Sequence, residues 1–336
     1  MKYDCDVLVI GAGMSGLAAS IRLAMYDKKV ILVEKHTVPG GLNSFYARKG
    51  RKIDVGLHAL TNFAKKNEKK KPLIKLLKQL RIKYDDLKLS EQSFSKISLN
   101  GKELDFSNDF EKFKLSIEKT FPDELSNLNR FIKGMEVIDE TSLDGEYQSA
   151  RLKLHEYFNN KKLIDMLMHP LLIYGSAWEM DMDFNQFIIM FKSIYLDGFS
   201  RPEGGVRTII RPLLKKYKSL NGIIQYGKAV KKIVPYAHGV EVFFDDDSTV
   251  FTKKVISSMG GAETESLVEG SLQKRNSFPR GQMTFTETIM YFDRRPKEFG
   301  INETIVFYNE GEKYHYQKPE NLVDVKSAVI CLPNNF

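Results

Sequence analysis

The feature that most restricts this chain is an apolar run, Val7-Leu8-Val9-Ile10, that passes without a break into Gly11-Ala12-Gly13-Met14-Ser15-Gly16. Helix-compatible residues follow from Leu17 to Met25, and a second apolar run, Val30-Ile31-Leu32-Val33, ends on Glu34. Strand, glycine turn, helix and second strand in this order predict a βαβ unit of the dinucleotide-binding kind. Gly11 permits a tight turn out of the first strand. Gly13 lacks the Cβ that would hold the backbone away from a pyrophosphate, and Gly16 lets the helix lie close to the sheet. The helix start offers free N–H groups and a positive dipole end to phosphate. Glu34 is placed to accept hydrogen bonds from ribose hydroxyls. An acid there opposes a 2′-phosphate, so NADP is disfavoured. Glycines also make ordinary loops; the flanking strand and helix and the spacing to Glu34 separate this stretch from them.

At 336 residues the chain suggests about two domains. No run of about 20 apolar residues is present to span a bilayer. The first residues enter the first strand almost at once and carry no leader pattern, so a cytoplasmic location is expected. The two cysteines, Cys5 and Cys331, make neither a disulfide framework nor a zinc site, and the six histidines are scattered; no metal is expected. The net charge of +8 comes mostly from lysine. Solvated lysine faces are the ordinary reading, and attraction to anionic lipid is the functional one, with the lysine-rich segment 64–71 as a membrane-touching loop. The basic residues are dispersed and form no nucleic-acid motif, so no nucleic-acid partner is expected.

After Glu34 and Lys35, Pro39-Gly40-Gly41-Leu42 predicts an irregular loop whose backbone approaches a ligand. Residues 45–48 and 51–55 flank Lys49-Gly50 like a short hairpin. Asp54-Val55-Gly56-Leu57-His58-Ala59-Leu60 follows. The pattern E-K-H-x-x-x-G-G-x-x-x-S-F followed by I-D-V-G-L-H-A-L resembles the N-terminal third of the FAD-dependent phytoene desaturase and retinol saturase group, within the flavin amine oxidase superfamily. The resemblance implies FAD as cofactor rather than NAD. It implies that Gly40 and Gly41, with Leu42, run along the pyrophosphate and ribityl chain beside Gly11–Gly16, Glu34 and Lys35. It places Asp54, Gly56 and His58 on the flavin side.

Further along, Pro72 opens a helix over residues 73–80, and residues 95–106 read as a hairpin about Asn100-Gly101. Helical spacing recurs over 109–119, 121–132, 151–159 and 163–169. This helical insert is the candidate substrate cap. Met135, Met166, Met168, Tyr174, Trp178, Met180, Met182 and Phe184 suit either an apolar ligand or an ordinary core. Pro202-Glu203-Gly204-Gly205 before a helix over 207–217 resembles another motif of the same group. In Ala229-Val230-Lys231-Lys232-Ile233, the resemblance gives the Val230 backbone a contact to adenine. Asp245-Asp246-Asp247 lacks the glycine and distal glutamate of a calcium loop and reads as a hairpin turn. Residues 254–261 form a strand returning to the nucleotide domain. Residues 281–292, 304–308 and 325–332 alternate as further strands.

The expected fold is α/β. A Rossmann-type FAD domain comprises 1–65 and 200–265 plus part of 320–336; a mixed-sheet substrate domain with a helical cap comprises 66–199 and 266–319. The group's late glycine–aspartate motif and closing helix have no match here, which implies a shortened version, a fragment, or a site finished by something else. The resemblance implies an FAD-dependent oxidoreductase moving a hydride between an apolar isoprenoid, polyene or lipid-like substrate and flavin N5. No residue declares itself as acid or base. His58 is the nearest by motif, and a histidine that merely packs beside the cofactor explains it as well. An amine substrate has no signal. The alternative is a shortened, non-catalytic flavoprotein fold that binds nucleotide, lipid or a protein partner.

Overall fold

A computed structural model describes residues 2–56, 58–142, 145–176, 178–270 and 283–336. The chain divides into two compact units. Met1–His58, Lys66–Leu89 and Pro202–Arg280 form the first; Ala59–Lys65, Ser90–Arg201 and Gly281–Phe336 form the second.

The first unit is built on β1 (Cys5–Ile10), α1 (Met14–Ala24) and β2 (Val30–Glu34). Its six-stranded sheet runs in the order Val230–Tyr236, Gly239–Phe244, Thr249–Ser257, β1, β2, Ile223–Tyr226. β1 lies parallel to both neighbours, with Val7 opposite Val30 on one side and Lys254 on the other. Such strands are covered on both faces, which is why they read as unbroken apolar runs; Leu8, Val9, Leu32 and Val33 are fully buried. The strand Thr249–Ser257 serves two partners. Its first half pairs antiparallel with Gly239–Phe244, and from Thr252 onward it pairs parallel with β1. The helix Ile210–Ser219 packs on α1, and the Tyr217 hydroxyl donates to the Val30 carbonyl at 3.0 Å. β3 (Phe45–Arg48) and β4 (Arg51–Asp54) form a hairpin. Its turn residues Lys49 and Gly50 both have positive φ, 48° and 75°, as a tight two-residue turn requires.

α2 (Pro72–Leu80) begins with proline at its first turn, where no amide hydrogen is needed. Segment 66–89 was expected with the substrate domain, and the structure places it in the first unit. Leu77 and Leu80 are buried there, and the Arg22 guanidinium of α1 donates to the Gln79 carbonyl at 2.9 Å.

The second unit carries a four-stranded mixed sheet in the order Ser327–Cys331, Ile305–Asn309, Ser95–Leu99, Lys102–Phe106. The strand Ser327–Cys331 corrects a second expectation. It joins this sheet rather than the nucleotide sheet, because Val329 and Cys331 pair opposite Phe307 and Ile305 and pack on the same core. Helices Phe110–Thr120, Leu125–Met135, Ala150–Tyr157, Lys161–Gly175 and Phe184–Phe191 complete the unit around an aromatic core. The helix Lys161–Gly175 continues through Pro170, beyond the stop expected at His169. Every residue from Leu163 to Leu172 is buried, and that burial offsets the hydrogen bond which proline cannot make. Residues 283–292 form no strand among the described residues; 281 and 282 lie outside them. Their alternation has no ladder partner, and Phe285, Met290 and Phe292 are exposed. Among the described residues no helix is long and apolar enough to cross a membrane.

Candidate functional site

The three glycines after β1 are used in three different ways. Gly11 has φ +96°, and a Cβ there would lie 2.6 Å from Ser258 Oγ; its N–H donates to the Val33 carbonyl at 2.8 Å. At Gly16 a Cβ would stand 1.9 Å from the Gly11 carbonyl oxygen, so the helix can close on the turn only without one. Gly13 differs from both. A Cβ on it would meet nothing within 4 Å, and its backbone is extended, with φ −70° and ψ 178°. The protein itself does not require glycine at position 13. The open space faces the start of α1, where Met14 and Ser15 open the first turn with no side-chain cap and no acidic residue. Uncapped N–H groups at a helix start suit an anion.

Glu34 closes the cradle. It is 7% exposed; one carboxylate oxygen accepts from the Ala12 N–H at 2.8 Å and the other from the His36 N–H at 3.0 Å. Each oxygen retains a second lone pair, so acceptors remain for a ribose hydroxyl. The Lys228 N–H donates to the Glu34 carbonyl at 2.9 Å, and the Gly227 N–H to the His36 carbonyl at 3.2 Å. These bonds bring the turn before Val230 to the end of β2. Val230 itself is half-buried opposite Phe244. Lys35 points to solvent.

The second glycine pair meets the first loop directly. Gly40 N–H donates to the Ala12 carbonyl at 2.9 Å, and a Cβ on Gly41 would approach only the Gly13 Cα, at 3.5 Å. Leu42 is exposed in the 3-10 turn Gly41–Asn43, and its carbonyl oxygen would be 3.0 Å from a Cβ on Gly56. Gly11, Ala12, Gly13, Gly16, Glu34, Gly40, Gly41, Leu42 and Gly56 are therefore linked by contacts into one cluster within the first unit. His58, two residues past Gly56, is half-buried at the end of that segment.

Three features were not singled out from the sequence. Ser258 Oγ donates toward the Ile10 and Gly11 carbonyls, at 3.0 and 3.1 Å, and fixes the turn. Asn43 is buried in the 3-10 turn, and its side-chain oxygen has no hydrogen-bond partner among the described residues. Asp54 and Arg207 form an ion pair at 2.6 Å, with side chains 2% and 21% exposed. Arg207 follows a Gly-Gly turn and Asp54 lies in the D-x-G-x-H segment, but the sequence does not join the two.

The second unit holds its titratable groups differently. His169 is fully buried, its ring 3.9 Å from that of Tyr314 in a stacked arrangement. Burial pushes its pKa down to about 3, so the ring is neutral rather than a cationic acid near neutral pH. Burial raises the phenols of Tyr174 and Tyr195. Met135, Met166, Met168 and Met182 belong to the packed core, while Trp178 is 57% exposed. Among the described residues, no group of three or more His, Cys, Asp or Glu side chains could hold a metal ion.

The family model described as flavin containing amine oxidoreductase matches residues 14–333. Prolycopene isomerase of Arabidopsis thaliana chloroplasts is 22% identical over 317 residues, covering 85% of this chain and 52% of that protein. All-trans-retinol 13,14-reductase of Danio rerio is 26% identical over 137 residues, 39% of this chain and 21% of that protein. The crystal structure of an oxidoreductase from Methanosarcina mazei superposes with a TM-score of 0.62 at 21% identity, covering 80% of this chain and 62% of that one. The chain spans about half the length of the prolycopene isomerases it matches.

Proposed function

The chain belongs to the flavin containing amine oxidoreductase family, and we propose that it acts as an FAD-dependent oxidoreductase on an apolar, isoprenoid or polyene-like substrate. The observation that carries this reading is the space at Gly13. A glycine that no protein atom requires is explained by a ligand that takes the room of its missing Cβ.

FAD fits the residues present. Gly13, Met14 and Ser15 would hold the pyrophosphate against the helix start, Glu34 the adenosine ribose, and the Val230 backbone the adenine. Gly40, Gly41 and Leu42 would follow the chain toward the flavin, with Gly56 and His58 beyond. When bound, FAD supplies the hydride chemistry, and the protein supplies binding, orientation and exclusion of water. The substrate class rests on the names of the relatives, which act on prolycopene and on retinol.

The test is the absorption spectrum of the purified chain after incubation with FAD and desalting. Flavin bands that survive desalting, and that bleach anaerobically when a polyene donor is added, are the expected result. Bands that survive but bleach with none of a panel of polyenes and retinoids would overturn the substrate class. A colourless protein would remove the reading altogether and leave a fold that binds nucleotide, lipid or a protein partner without turnover.

A further inference from the structure

The ion pair of Asp54 and Arg207 joins segments 153 residues apart in sequence. Both residues sit on elements that lead to the loops described above. Arg207 lies in the 3-10 turn Val206–Ile209 at the head of the helix Ile210–Ser219. That helix is tied to β2 through Tyr217 and Val30, so the guanidinium projects from a fixed part of the Rossmann core. Asp54 ends β4 and pairs with Phe45 at the start of β3.

Next to this pair, the Val55 N–H donates to the Ser44 carbonyl at 3.1 Å, and the Ser44 N–H donates to that of Gly41 at 3.1 Å. The Asn43 N–H donates to the Gly40 carbonyl at 2.9 Å, and the Gly40 N–H to that of Ala12 at 2.9 Å. These backbone hydrogen bonds, joined through the covalent chain, link the residue after Asp54 to the 3-10 turn and, through Gly40, to Ala12 of the phosphate loop. Gly205 makes the pair possible. With φ +99°, its absent Cβ would lie 2.5 Å from one Asp54 oxygen and 2.7 Å from Arg207 Nη1. An ion pair with one partner almost wholly desolvated is a costly way to hold two segments together, and this one holds the turn that carries the second glycine pair.

We infer that Asp54 and Arg207 are positioning residues: they clamp the Gly40–Leu42 turn and the Gly56 segment in the geometry that receives the half of FAD beyond the pyrophosphate. The clamp rests on the FAD reading above and deepens it. The adenosine half is held by Glu34 and the helix start, which the pair does not touch. The two halves of the cofactor therefore respond differently to loss of the pair.

The experiment compares the dissociation constants of ADP and of FAD for the full chain, wild type against Asp54→Asn and Arg207→Lys. Asp54→Asn should weaken FAD on the order of tenfold while ADP moves less than about twofold, an effect that general loosening of the fold would not produce. Arg207→Lys keeps the charge and should recover part of the FAD affinity; it also serves where Asp54→Asn fails to fold. Parallel losses of ADP and FAD, or no loss of either, overturn the clamp and leave the FAD reading standing. A wild-type chain that binds neither ligand overturns both.

Discussion

The phosphate loop of the first unit and the core around His169 in the second treat polar groups in opposite ways. At the loop, Glu34 is buried yet both its oxygens are engaged, and Gly13, where a Cβ would meet nothing within 4 Å, sits at the uncapped start of α1. His169 is fully buried instead. Both ring nitrogens are buried without hydrogen-bond partners among the described residues, and the ring face is spent on Tyr314. The loop is arranged to receive something; the core buries its polar group unserved. A histidine deep in an aromatic core attracts attention as an acid or base, but the room beside an unremarkable glycine says more about where chemistry can enter.

The sharpest test of that contrast sits inside the loop. Gly13→Val should leave the fold within about 1 kcal/mol of wild type and reduce FAD retention by two orders of magnitude or more, roughly a loss of 3 kcal/mol of binding. Gly16→Ala should do the reverse in kind, costing about 3 kcal/mol or more of stability because its Cβ would strike the Gly11 carbonyl. Urea unfolding and FAD titration of the two variants separate the roles. Wild-type FAD affinity in Gly13→Val would break the comparison.

The core makes a prediction of its own. His169 has a folded pKa of about 3 against an ordinary value of 6.5, so below pH 6.5 the unfolded chain binds a proton that the folded chain does not. Its contribution is therefore fully present above about pH 6.5 and is lost as pH falls toward 3, by roughly a few kcal/mol. His169→Phe, which keeps the stack on Tyr314, should flatten this loss in urea titrations run between pH 7 and pH 4. An unchanged slope would show that the ring finds a partner the static structure lacks. A smaller effect is expected at Tyr217, the counterpart case of a buried polar group that is satisfied. Tyr217→Phe removes its bond to the Val30 carbonyl and should cost about 1 kcal/mol in the same assay.

The same contrast explains what could be read from the sequence. β1, the glycine turn, α1, β2 and Glu34 are legible because their signals are local and sit within one βαβ unit. The hairpin turns at Lys49-Gly50 and Asn100-Gly101 are legible for the same reason. Strand pairing is not local. Residues 283–292 alternate as well as any strand, but alternation does not supply a partner. The strand Ser327–Cys331 was visible as a strand, while its choice of Ile305–Asn309 was set by a core that no short window contains. Helical spacing is legible only to His169, and only the surrounding burial shows why the helix continues through Pro170. Arg207 stood next to a motif that drew notice; its partner Asp54 stood in another, and nothing along the chain links the two.

One feature of the nucleotide sheet bears on how the protein is made. β1 is one of the two central strands of that sheet, yet one of its two neighbours lies near the other end of the first unit's sequence: Cys5 meets Thr252, 247 residues on. During synthesis β2 is available at once, but the other edge of β1 stays bare until Thr249–Ser257 has been translated. At about 5–20 residues per second, that interval is roughly 10–50 s. A bare apolar strand edge is a template for pairing with the wrong chain. Soluble yield should therefore rise when translation is cooled or a holding chaperone is supplied, even though the finished sheet needs neither.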